Sequence, residues 1–241
     1  MVQDMTRRSV VVTGATGHLG PSVTRAYLEA GAHVAVAVRD PAKGAALRAE
    51  LGPLAGDDED PKLLTIHADP ADRAQMDALV DRVLRAWGRL DALANLAGGF
   101  ATGPADDLER LRALWDQNVT TAVTATAACL PPMRARRFGR IVSIGSLAAL
   151  KGNRNSAGYA MAKGALVRWT ESLAAEVKGE GITANVILPA TIDHPVNRAR
   201  MPNVDPTTWA SPAEVAAVIL FLTSDSASGV TGAAVPVTAR T

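Results

Sequence analysis

Short apolar, β-branched runs alternate along this chain with longer stretches of helical periodicity. The runs SVVVTG (Ser9–Gly14), HVAVAV (His33–Val38), LLTIHA (Leu63–Ala68), DALANLA (Asp91–Ala97), RIVSIG (Arg140–Gly145), ITANVIL (Ile182–Leu188) and AAVPVT (Ala233–Thr238) read as strands. Most are continuously apolar rather than alternating, which suits strands covered on both faces of a parallel sheet. Between them, Pro21–Ala30, Arg73–Trp87, Leu108–Arg136, Tyr159–Lys178 and Pro212–Ser224 read as helices. This order predicts an α/β fold, a doubly wound Rossmann arrangement of about seven parallel strands with helices on both faces. No internal repeat or interdomain linker is visible, so residues 1–241 read as a single domain. The acidic, turn-rich segment Gly52–Lys62 reads as a surface loop. Pro189–Ser211 is long, irregular and proline-bearing, a kind of segment that often serves as a lid.

Composition narrows the function. The 48% apolar content supplies a sizeable core, and 20% charged residues is ordinary for a soluble protein. A net charge of +1 from interspersed charges offers no broad field for nucleic acid or acidic membranes. Aromatic residues, at 4%, are too few for a base-stacking platform. The cluster Arg134, Arg136, Arg137 and Arg140 reads as a solvated helix end or a local phosphate patch. Cys129 is the only cysteine, so no intrachain disulfide or multi-cysteine zinc site is possible, and a buried filler is expected. No N-terminal signal-peptide pattern and no apolar run of about 18 residues is found. A cytoplasmic protein is the expectation.

The first candidate chemistry is the turn TGATGHLG (Thr13–Gly20), which follows the first strand and opens a helix. Glycines at 14, 17 and 20 let backbone amides and a helix N-terminus approach a pyrophosphate. The second strand ends AVAVRDPAK, with Val38 where an acidic residue would select NAD, followed by Arg39. A guanidinium matches a 2′-phosphate bidentately, which favours NADP(H). Asp40 stands beside Arg39 as a possible ion-pair partner that would blunt this preference, while His18 and Lys43 offer further positive charge or are simply solvated.

The chain resembles the short-chain dehydrogenase/reductase family from Ser9 to about Val237. The carrying motifs are TGATGHLG, Asp69 in HADPAD, NLAGG (Asn95–Gly99), Asn118 in WDQNVT, Ser146 in IVSIGS and the Tyr159-x-x-x-Lys163 pair. A narrower resemblance, to quinonoid dihydropteridine reductases, lies in YAMAKGAL and ILPATIDHPVNRARMPNVDPTTW. The family resemblance implies a catalytic set of Asn118, Ser146, Tyr159 and Lys163. It implies cofactor contacts from Gly14, Thr16, Gly17, His18, Leu19, Arg39, Asp69, Asn95, Ala97, Gly98, Tyr159, Lys163, Pro189, Ile192 and His194. The chain also departs from the family pattern: His18 shifts the middle glycine, Leu96 replaces an asparagine, Ala190 a glycine and His194 a threonine.

The expected chemistry is hydride transfer between NADP(H) and a ketone, an imine-like ring or a secondary alcohol. Residues i and i+4 share a helix face, so the Lys163 ammonium can approach the Tyr159 phenol and favour its ionised form. Tyr159 would serve as general acid and base, Ser146 would orient the carbonyl oxygen, Lys163 would hold the nicotinamide ribose and Asn118 a water. Phe100, Met201 and Trp209 are candidate apolar walls; Arg198 and Arg200 either meet an anionic substrate group or are solvated. A non-enzymatic NADP(H)-binding sensor is the alternative, and a quinonoid dihydropterin the alternative substrate. No metal, nucleic acid or membrane partner is expected, and a homodimer or homotetramer is implied by the resemblance.

Overall fold

Seven strands pair in parallel: β1 (Ser9–Thr13), β2 (His33–Val38), β3 (Leu63–His67), β4 (Ala92–Asn95), β5 (Gly139–Ile144), β6 (Ile182–Pro189) and β7 (Ala234–Val237). Their order across the sheet is β3-β2-β1-β4-β5-β6-β7. This is a computed structural model, and it describes residues 3–57 and 59–240. Asp58, within the acidic segment, lies outside the described residues.

The continuous apolar character of the strands has a direct cause. Along β1, Val10 and Val12 belong to one core and Val11 to the other. The first core packs under α1 (Gly20–Glu29), α2 (Pro41–Leu51) and α8 (Pro212–Thr223). The second packs under α3 (Arg73–Trp87), α5 (Thr121–Arg136) and α6 (Ala157–Glu176). Successive side chains point to opposite faces, so a sheet covered on both sides needs apolar residues at every position.

Three predicted segments differ in detail. Leu108–Arg136 is not one regular helix: α4 (Leu108–Trp115) passes through a π-helical turn, Asp116–Thr120, into α5. Asn118 sits in that turn, and its Nδ2 donates to the Leu114 carbonyl at 2.8 Å. The side chain thus competes for helix backbone, a local cause for the irregularity. The acidic segment holds a 3-10 turn, Gly52–Ala55, and an antiparallel bridge between Gly56 and Pro61. The irregular stretch before α8 contains α7 (Pro195–Arg200), a 3-10 turn at Pro206–Thr208 and a parallel bridge between Ile192 and Ala210.

The arginine cluster does not form a phosphate patch. Arg134 pairs with Glu176 and Glu180, and Arg137 donates to the Gly179 carbonyl. Arg140 belongs to β5 and is buried, with its guanidinium 4.3 Å from the Phe138 ring centroid. Cys129 is buried, and burial pushes its thiol up to about 12, as befits a core filler. Among the described residues no helix is long and apolar enough to cross a membrane.

Candidate active site

The chain leaves β1 on one side and β4 on the other of the point where strand order reverses, so a crevice opens at their C-terminal ends. A cleft of about 680 Å³ occupies it. Gly14, Thr16, Gly17, His18 and Leu19 line it from the first turn, with Arg39 and Lys43 from the second. Asp69, Ala97, Gly98 and Ile192 complete the expected contacts that face it.

The glycine turn is built for close approach. Gly14 has φ +67°, and a Cβ there would lie 2.6 Å from the Ala97 nitrogen. A Cβ on Gly20 would lie 2.1 Å from the Ala15 carbonyl oxygen, so that position closes the turn onto the helix. The helix it opens, α1, has Leu19 as its N-cap and no side-chain capping bond. Its first amides are therefore free of a side-chain partner and suit a pyrophosphate. The cradle fits a dinucleotide.

The second turn presents Arg39, exposed, after buried Val38. Asp40 also lines the cleft, and it caps α2, accepting from the Ala42 nitrogen at 2.9 Å and the Lys43 nitrogen at 3.4 Å. Among the described residues Arg39 and Asp40 form no ion pair. Asp69 accepts from the Ala71 nitrogen at 2.9 Å, which shapes the third turn.

Five expected contacts are not among the residues that line the cleft: Asn95, Tyr159, Lys163, Pro189 and His194. Asn95 is buried, and its Nδ2 donates to Thr126 Oγ1 at 3.1 Å and Ser143 Oγ at 3.4 Å, tying β4 to α5 and β5. Pro189 is buried at the end of β6, paired with Val237. His194 has two close partners within the fold. Its Nδ1 accepts from the Val196 nitrogen at 3.2 Å, capping α7, and its ring lies 3.6 Å from that of His18, centroid to centroid.

The four catalytic candidates gather beside Gly98 and Ile144, which line the cleft. Lys163 is buried on α6, and its Nζ donates to the Ile144 carbonyl at 2.7 Å. Burial lowers its ammonium to about 8, so it is no snorkelling surface lysine. Its Nζ lies 5.8 Å from the Tyr159 ring centroid. Burial raises the Tyr159 phenol above its ordinary value, and a hydrogen bond with Ser146 opposes that rise. Ser146 also accepts from the Ala148 nitrogen at 3.2 Å, so it does cap the turn after β5. Asn118 bridges backbone, exchanging hydrogen bonds with Gly99 as well as donating to Leu114. Gly98 lies between Asn118 and Lys163: a Cβ there would be 2.7 Å from Asn118 Oδ1 and 3.5 Å from Lys163 Nζ.

Residues 189–211 and the loop after Gly98 revise the expected substrate wall. Trp209 is only 4% exposed and packs inside the fold. Arg198 is held by Asp193 through two bonds of 2.6 Å. Phe100 sets its ring edge-on to Tyr159, centroids 5.0 Å apart. The sequence reading passed over Asp116, Gln117 and Thr121, which line the cleft from the π-helical turn and the start of α5. Only their place around Asn118 could have signalled them. Ala37 and Ile144 also line it, with no signal beyond standing at strand ends.

A family model described as short chain dehydrogenase matches residues 8–205. This chain belongs to the short-chain dehydrogenase/reductase family. Such enzymes are oxidoreductases that use a nicotinamide dinucleotide on small molecules and commonly assemble as oligomers. This short-chain dehydrogenase/reductase is 34% identical to the inactive 2-(S)-hydroxypropyl-CoM dehydrogenase 2 of Xanthobacter autotrophicus, over 87% of this chain and 95% of that one. It is 34% identical to the cis-4-hydroxycyclohexanecarboxylate dehydrogenase of Sinomonas cyclohexanicum, over 97% and 96%. A short-chain oxidoreductase structure from Burkholderia thailandensis superposes with a TM-score of 0.84 at 32% identity, covering 95% of this chain and 90% of that one.

Proposed function

We propose that the protein is an NADP(H)-dependent oxidoreductase acting on a ketone, an imine-like ring or the corresponding secondary alcohol, as one catalytic domain with residues 189–211 as its lid. The carrying observation is the set Asn118, Ser146, Tyr159 and Lys163 beside the cleft, with Gly98 between Asn118 and Lys163. The bound nicotinamide supplies or accepts the hydride. Tyr159 donates its proton to the carbonyl oxygen during reduction, and Ser146 hydrogen-bonds and orients that oxygen. The buried Lys163 ammonium favours the phenolate left behind and so assists proton release. Asn118 holds the Gly99 backbone at the edge of the site. The amides of the glycine turn hold the pyrophosphate, and Arg39 with Lys43 meets a 2′-phosphate.

A homo-oligomeric assembly joins this reading. Trp115 and Met161, 40% and 45% exposed, line a groove shared by α4 and α6, which supports that face as the interface.

The test follows NADPH absorbance with a carbonyl panel that includes a quinonoid dihydropterin, with NADH in parallel. It also follows NADP⁺ reduction with cis-4-hydroxycyclohexanecarboxylate, the alcohol named for one relative. Substrate-dependent turnover, with NADH much slower, is expected. Tight NADPH binding without turnover of any alcohol or carbonyl would instead favour the sensor.

A further inference from the structure

Three side chains form a path outward from the proton donor. Phe100 stands edge-on to Tyr159, with an interplanar angle of 90°. The Arg200 guanidinium lies over the same Phe100 ring, 5.9 Å from its centroid. Phe100 is 52% exposed, so its ring offers an open apolar surface between phenol and guanidinium. The loop that carries it is braced: the Gly103 nitrogen donates to the Asn155 carbonyl at 2.7 Å, just before α6.

The two lid arginines are used differently. Arg198 has its charge matched by both oxygens of Asp193. Arg200, the last residue of α7, has no carboxylate partner among the described residues. A guanidinium near a ring and without a carboxylate partner keeps N–H groups for an oxyanion.

We propose that Arg200 recognises an anionic group on the substrate. The substrate carries a carboxylate or similar oxyanion, separated from its reacting carbonyl by a short apolar spacer that lies along Phe100. The two contacts limit the span to one ring-to-ring contact plus one cation–π contact. This inference rests on the carbonyl-reductase reading of Tyr159.

The experiment titrates three oxo acids, 4-oxopentanoate, 5-oxohexanoate and 7-oxooctanoate, and their methyl esters into protein loaded with NADP⁺, where no turnover of a ketone occurs. Calorimetry reads binding, and kcat/KM with NADPH is measured on the same pairs. Wild type should bind at least one acid about tenfold more tightly than its ester, the scale of one charge-assisted contact. Arg200→Gln should abolish that difference by weakening the acid alone, and Arg200→Lys should keep part of it.

Equal binding of acids and esters by wild type would overturn the proposal and leave the reductase reading standing. So would an Arg200→Gln loss shared equally by acid and ester, which would mark a residue that only shapes the lid. Failure of every acid to bind the loaded protein overturns it as well. A prior titration showing no NADP⁺ binding would remove the cofactor reading itself, and this inference with it.

Discussion

The His18 and His194 rings lie 3.6 Å apart and tilted by 38°, joining the glycine turn to the start of α7. His194 is held below its ordinary value of 6.5, first by burial and then by the neighbouring His18, while Asp193 acts in the opposite direction. Asp193 is itself engaged by Arg198. The His194 Nδ1 accepts from Val196, so the neutral ring carries its proton on Nε2. The fold therefore disfavours charging this ring. The contact is fully stable above 6.5 and weakens as pH falls through that value towards the lowered one. Hydrogen exchange of a lid peptide covering 189–200 should be faster at pH 5.5 than at 7.5 in the cofactor-free protein, after correction for intrinsic rates. His194→Asn, which keeps a helix-capping oxygen, should lose the pH difference. Equal protection of the wild-type lid at both pH values would show that the ring contact does not hold it.

Tyr159→Phe should lower kcat by about a thousandfold, within the range for removing a positioned general acid. The Phe100 edge contact needs only the ring, so the local packing survives the change. Cofactor affinity, measured by fluorescence titration, should stay within about threefold of wild type, because the altered atom is a single hydroxyl. Turnover retained by a verified Tyr159→Phe preparation would remove the phenol from the mechanism.

Arg39 and its neighbour Asp40 have separable jobs. Both line the cleft, but Arg39 is exposed with no ion-pair partner among the described residues, while Asp40 accepts two backbone amides at the start of α2. Arg39→Ala should raise KM for NADPH about tenfold and leave KM for NADH nearly unchanged, since one charge-assisted phosphate contact is lost. Asp40→Ala should leave the cofactor ratio unchanged and cost about 1 kcal/mol of stability in urea, the usual loss for an N-cap. A shift of the NADPH to NADH ratio in Asp40→Ala would mean that the carboxylate does act on the cofactor.

The strands and most helices were legible because burial on both faces leaves a continuous apolar run, as in β1, whose residues are all buried. The glycine turn was legible because backbone clashes demand glycine at 14 and 20. Other features were hidden for physical reasons. The π-helical turn at Asn118 depends on a side chain reaching Leu114 and Gly99, which apolar periodicity does not register. Asn95 matched a motif yet turned inward, because Thr126 and Ser143 offer it buried partners from distant elements. The ring contact of His194 is hidden in the sequence because its partner, His18, is remote along the chain. Trp209 stands in the segment expected to border the pocket, but a large apolar ring is favoured inside the fold, where it is buried.

Lys163 joins function to stability in opposite senses. It is buried, lowered to about 8 by desolvation, and partnered by a 2.7 Å bond to the Ile144 carbonyl and by the Tyr159 ring at 5.8 Å. Below pH 8 the folded protein carries a buried ammonium that the unfolded chain would solvate, at a cost of roughly 3 kcal/mol. Between about 8 and 10.5 the folded form releases its proton before the unfolded form does, so this cost shrinks as pH rises. Lys163→Met should therefore abolish turnover and yet stabilise the cofactor-free protein at pH 7. The expected gain is about 1–2 kcal/mol, since the orphaned Ile144 carbonyl takes back part of it. Urea unfolding of both proteins at pH 7 and pH 10 checks this, because effects shared by the two cancel in the difference. The gain should be largest at pH 7 and nearly gone at pH 10. A variant less stable than wild type at pH 7 would mean that the bond to Ile144 outweighs the desolvation of the charge, and that the lysine holds the fold as well as the chemistry.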